Sequence, residues 1–314
     1  MDYASIVRRS LRTTWQHPYL WLFGFLAAGG SGFGPLGNWG ERWNGSEGCG
    51  LPAEWLISLL LLIIPLLIVV FVGLFILRII SKGGLIRAAQ EIDAGERLRF
   101  GLVWQRGLVP FWRLLGIELI VFVVVFLVVI TGIAMVAAMV GLGAFAGGPA
   151  GAGLLALGLF GLLLLPLIAV SLIAFIIVTY GHRACVIDEA AVFAAFGRGW
   201  ETLRLHFWPS IAIWLISAGV GLAYFIILLT TGAVLAIPFV LLALIHPLAG
   251  LVPGIAVGII YVAVATGLHS TFQHTLWTLA YGELWGAEVF EGGTRPPGVG
   301  YSPGGGPSSG TPGG

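Results

Sequence analysis

Five long apolar stretches, at about 55–80, 111–140, 153–181, 209–236 and 248–272, alternate with short segments that hold nearly all the charge. Each exceeds the ~20 residues with which a helix crosses ~30 Å of hydrocarbon. Several are long enough to imply tilt or extension past the hydrocarbon. A sixth, shorter run, Pro18–Gly30, passes into a glycine-rich stretch and is also read as a span. It has a second reading as a signal peptide, because Arg8, Arg9 and Arg12 precede an apolar core ending in Ala27, Ala28 and Gly29. The pattern predicts an all-α polytopic transmembrane bundle of about six spans, set out as three hairpins.

The segments between hairpins have helical periodicity of their own. Phe193, Phe196, Trp200, Leu203 and Phe207 follow 3, 4, 3, 4 spacing, with Arg198, Glu201 and Arg204 off that stripe. This predicts an amphipathic helix in the membrane plane, aromatic side in the acyl boundary and arginines toward phosphates. The same residues also suit a collar packed under the bundle.

A repeat underlies this plan. Phe100, Trp104, Phe111 and Trp112 match Phe196, Trp200, Phe207 and Trp208 at an offset of 96. Leu11, Trp15, Leu22 and Phe23 repeat the spacing more weakly, and Tyr281 with Trp285 follows the last span. Pro65, Pro166 and Pro253 stand in similar apolar strings within the second helix of each hairpin. The expected unit is an amphipathic helix followed by a hairpin, repeated three times in parallel.

Charge then orients the chain. Of 15 Lys and Arg, 14 fall on one side of the expected spans and only Arg42 on the other. The positive-inside rule places the larger set, and both termini, in the cytoplasm. Charged residues are only 9% of the chain and the net charge is +1, which gives nucleic acid no basic surface. The Arg, Gly, Ala and Pro bias fits a GC-rich bacterial genome, so a bacterial inner membrane is the expected location. Residues 1–291 read as one transmembrane domain. Residues 292–314, with ten glycines and five prolines, read as a disordered cytoplasmic tail. Cys49 falls outside and Cys185 at the cytoplasmic boundary, so no disulfide joins them within one chain.

Candidate chemistry is sparse. Glu118 lies inside the third span, where a carboxylate costs on the order of 2.5–3.5 kcal/mol at mid-membrane. It faces the bundle or a wet cavity, or sits protonated near the cytoplasmic end. His182 and His269 mark the cytoplasmic ends of two spans, as metal ligands, proton relays or helix C-caps. The Thr179–His182 string matches either Thr266–His269 or Thr271–His274. Asp188 and Glu189 read as a carboxylate pair or, on a cytoplasmic helix, as a solvated face. Trp15, Trp104, Trp200 and Trp285, with Arg97, Arg99, Arg198 and Arg204, are the candidate interfacial residues. Phosphate-loop, zincin, serine-hydrolase and CxxC motifs are absent, so neither catalysis nor a cofactor nor a metal is expected.

The opening Trp15-Gln16-His17-Pro18-Tyr19-Leu20-Trp21-Leu22-Phe23-Gly24-Phe25 resembles the start of uncharacterised bacterial multi-pass proteins. The helix-plus-hairpin plan is similar to the membrane domain of some bacterial glycerophosphoryl diester phosphodiesterases. In that family hydrolysis belongs to a separate barrel, for which this chain has no room, so the resemblance implies no catalytic residue here. The expected function is a non-enzymatic membrane module that engages membrane lipids, a protein partner or a second copy of itself. A carrier or channel for a small or amphiphilic solute is the alternative, and an intramembrane enzyme the third class.

Overall fold

The computed structural model describes residues 2–29, 53–96 and 98–292, and every regular element among them is a helix. In chain order these are α1 (Tyr3–Gln16), α2 (Tyr19–Ala27), α3 (Ala53–Asp93), α4 (Phe100–Leu108), α5 (Phe111–Ile187), α6 (Val192–Leu205), α7 (Phe207–Ile245) and α8 (Pro247–Gly292). Arg97, Cys49, the expected external loop from residue 30 and the tail from residue 293 lie outside the described residues. The chain divides into two compact units, 1–111 with 212–314, and 112–211.

Five stretches are long and apolar enough to cross a membrane: Leu61–Asp93, Phe111–Ala138, Pro166–Ile187, Phe207–Ile245 and Pro247–Trp285. The expected sixth differs. α2 has 9 residues, about 13.5 Å at ~1.5 Å per residue, less than half the hydrocarbon thickness. It ends in a tight turn in which Gly29, at φ 65°, donates to the Leu26 carbonyl. A left-handed residue just past a helix is a place where glycine carries no steric cost.

The helical run of α5 accounts for two crossings. Arg113 donates to the Glu189 carbonyl, and Glu118 lies 3.3 Å from His182. In a straight helix residues 118 and 182 would stand about 96 Å apart at ~1.5 Å per residue, so the run doubles back. The reversal between α7 and α8 is local. His246 caps α8 by accepting from the Ala249 N–H at Nδ1, Pro247 occupies the first turn, and Gly250 lies against the backbone of Phe239 and Ala243.

In the first unit α1 and α2 pack on α8, and α2 and α4 pack on α3. One core joins Leu20, Phe23 and Ala27 to Leu85, Ala88, Leu98 and Val103, with Trp104 half-buried against it. A second joins Ile6 of α1 to Phe272, Leu276 and Leu279 of α8. Cover differs between the apolar spans: no residue of the most apolar stretch of Phe111–Ala138 or of Phe207–Ile245 is buried by protein, whereas half of that of Pro166–Ile187 is. Thr131 and Thr230 turn their hydroxyls back to the carbonyl four residues earlier, which satisfies those donors within the helix.

Candidate functional site

The polar chemistry gathers where short helices meet the charged ends of long ones. Three such crossings share one geometry. A Cβ at Gly107 of α4 would sit inside the contact radius of the Ile80 carbonyl oxygen and 3.0 Å from the Gly84 nitrogen of α3. Gly199 of α6 stands in the same way to the Ile177 oxygen and the Gly181 nitrogen of α5, and Gly24 of α2 to the Gly267 oxygen and the Thr271 nitrogen of α8. The contact is reciprocal: a Cβ at Gly84 would meet the Val103 oxygen at 2.8 Å, and one at Gly181 the Ala195 oxygen at 3.4 Å. In the third crossing the Thr271 hydroxyl donates to the Leu20 oxygen at 2.9 Å instead. Without side chains at these points, backbones approach closely enough to lock short helices onto long ones.

Aligning the chain on these three crossings gives another register than the aromatic spacing does. Gly107 pairs with Gly199, so Trp104 corresponds to Phe196 and not to Trp200, and Trp21 takes the place assigned to Trp15. The signal was the string aromatic-x-x-Gly, at Trp21–Gly24, Trp104–Gly107 and Phe196–Gly199. Gly181 pairs with Thr271, which sets His182 against Phe272, in neither histidine register considered above. The prolines do not share it either: Pro65, Pro166 and Pro253 stand 15, 11 and 14 residues before Ile80, Ile177 and Gly267.

Ion pairs hold the docked α4, α6 and α1. Arg106 of α4 reaches Glu91 of α3 at 3.2 Å, and Arg198 of α6 reaches Asp188 at 2.9 Å. Arg9 of α1 holds Asp93 at 3.2 Å and also pairs with Glu283. Asp188 and Glu189 lie just past the end of α5 and not on a helix face, and Glu189 is exposed. Asp188 is largely covered, and Glu189, at φ 54°, closes α5 with its carbonyl bound by Arg113.

The candidate interfacial residues divide. Trp15 is exposed and meets Trp21 edge to face. Trp104 is packed inward beside Phe23, and Trp285 lies part-buried next to Tyr281. Trp200 is 53% exposed and its neighbour on the stripe, Phe193, 82%, whereas Leu203 of that stripe is buried. Arg99 and Arg204 are exposed, and Arg198 is held by Asp188. Trp112 and Trp208, each the second residue of its helix, are both 77% exposed, although the interfacial set omitted them.

Of the polar residues expected in the membrane, the structure brings Glu118 and His182 together at ion-pair distance in the second unit, both mostly buried. His269 belongs to the first unit, its ring stacked on Tyr224 at 4.7 Å. It belongs to a polar seam along α7 and α8 that includes Ser217 with Gln273 and Tyr224 with the Ala265 carbonyl. Among the described residues no cluster of His, Cys, Asp or Glu is arranged to hold a metal. Sequence reasoning counted Arg183 only as a charge. The structure buries it in the second unit beside Tyr180, whose hydroxyl donates to Ser210 at 3.1 Å.

Long uncovered apolar helices with charge gathered at their ends define a multi-pass α-helical membrane protein. No protein-family model, curated protein or solved structure matches the chain. The likeness to the phosphodiesterase membrane domain therefore rests on the helix plan alone.

Proposed function

We propose that this chain is a non-enzymatic membrane module that holds anionic lipid, or a partner in the same membrane, at its charged helix ends. In this reading it lies in a bacterial inner membrane with both termini in the cytoplasm and derives from a threefold repeat of a short helix and a hairpin. The three glycine crossings support the repeat. One observation carries the functional reading: exposed arginines and exposed aromatics alternate along the short helices, with Arg99 next to Phe100 at the start of α4, and Arg204 one turn from Trp200 on α6. An indole keeps its body in the acyl boundary, and each arginine adds on the order of 1 kcal/mol of attraction to an anionic leaflet. Arg99→Gln with Arg204→Gln leaves the internal ion pairs intact. The expected result is normal expression and helicity with less co-purified anionic lipid. Lipid content equal to wild type would reduce these residues to depth anchors.

A carrier is the second reading, favoured by the polar seam of α7 and α8. Its proton-coupled form requires that purified protein dissipate a pH gradient in liposomes and that Tyr224→Phe with His269→Ala stop this. A gradient that holds with wild-type protein sets the proton-coupled form of it aside.

A further inference from the structure

Arg183 is only 4% exposed and lies four residues before the end of α5, near the charged boundary of its span. A guanidinium carries five N–H donors and no acceptor. Here Nη1 donates to the Thr179 carbonyl of its own helix at 2.5 Å, and Nε has no acceptor. No carboxylate stands at ion-pair distance from it among the described residues; Glu118, on the same helical run, lies against His182 instead. Tyr180 donates to Ser210, and Ser210 donates to the His206 carbonyl at 2.7 Å. This nest lies wholly within the second unit and lacks an acceptor-rich anion.

An uncompensated buried cation costs several kcal/mol. The position therefore selects a negative ligand, and its place near a membrane boundary favours the commonest anion there, the phosphate of a lipid headgroup. The fork of the guanidinium matches two phosphate oxygens. To present that fork the side chain gives up one bond, to a carbonyl that the helix can satisfy with water.

We infer that Arg183, beside Tyr180 and Ser210, forms a binding site for a phosphate-bearing anion. This rests on the lipid-binding reading above but uses none of the exposed arginines. The test uses the full chain, delipidated in a neutral detergent, with phosphatidylglycerol in mixed micelles as one probe and inorganic phosphate as the other. Thermal stability is read for wild type, Arg183→Gln and Ser210→Ala. The expected result is that phosphatidylglycerol raises the melting temperature of wild type and of Ser210→Ala, whose hydroxyl is already engaged, but not of Arg183→Gln. Stabilisation by inorganic phosphate alone, lost in Arg183→Gln, keeps the site and assigns it to a free anion. Should Arg183→Gln not fold, Arg183→Lys replaces it, and a tenfold weaker half-saturating concentration is expected. Equal stabilisation of wild type and Arg183→Gln overturns the site but leaves lipid binding standing. No stabilisation of wild type by either probe overturns both the site and the reading beneath it.

Discussion

Glycine is the residue on which the charged ends are built, and the reason is the missing Cβ. At Gly107 and Gly199 a methyl group has no room, because a carbonyl oxygen of the crossing helix already occupies its place. At Gly101 of α4 and Gly197 of α6 a methyl would meet nothing within 4 Å. The two kinds of glycine on one helix make an internal control. Gly107→Ala and Gly199→Ala are expected to destabilise by about 1–3 kcal/mol, the usual cost of overpacking. Gly101→Ala and Gly197→Ala are expected to be neutral or to stabilise by up to ~1 kcal/mol through helix propensity. Melting temperatures in one detergent check this, and four equal shifts would refute the crossing geometry. Glu118 carries a second expectation. It is largely buried within 3.3 Å of His182, so Glu118→Gln, which keeps an acceptor for the imidazole, should be better tolerated than Glu118→Leu. Thermal shift of the purified variants decides it, and equal stability of the two would show that the carboxyl has no polar role.

At the scale of elements, the short helices invert the rule of soluble proteins. α1 buries Ile6, Ser10, Thr13 and Thr14 and exposes Leu11 and Trp15; α6 buries Ala195, Gly199, Thr202 and Leu203 and exposes Phe193 and Trp200. Where the surroundings are lipid, large apolar side chains lose nothing by facing outward, and small residues let helices approach. This explains what was legible in the sequence. The long spans were readable because length and apolarity mark them regardless of partner. The stripe on α6 was readable as a periodicity, but Leu203 was grouped with aromatics that face away from it. The crossings were missed because aromatic spacing drew attention to Trp200, one turn beyond the register that Gly199 sets. Arg183 stayed invisible because burial is a tertiary property. The docking of α6 on α5 has an electrostatic test. Arg198 and Asp188 pair at 2.9 Å, with Asp188 mostly covered. Asp188→Arg should lower the melting temperature, and Arg198→Asp added to it should restore much of the loss, by more than the ~0.2–1 kcal/mol of an exposed pair. A double variant no better than the single would mean that the pair does not hold the joint.

For the whole molecule the outstanding issue is sidedness, because arginine asymmetry is an argument from composition and the fold is indifferent to which compartment each end faces. The ends of Leu61–Asp93, Pro166–Ile187 and Pro247–Trp285 and the starts of Phe111–Ala138 and Phe207–Ile245 carry the short helices or the links to them. If 14 of the 15 basic residues report the cytoplasm, every short helix lies there. The native cysteines test this poorly. Cys185 is fully buried, so an impermeant maleimide would miss it in the folded protein from either side. Exposed positions serve better. In a chain with Cys49→Ala and Cys185→Ala, single cysteines at Arg99 and Arg204 put a thiol on the link before α4 and on α6. In intact cells neither is expected to react with an impermeant maleimide, and both should react after the inner membrane is opened. Each variant removes one basic charge from the cytoplasmic set, too few to reverse an asymmetry of this size. Labelling of both in intact cells would invert the molecule. Labelling of one alone would break the shared-side plan, because it would place an odd number of crossings between residues 99 and 204, where the described chain has the two crossings of α5.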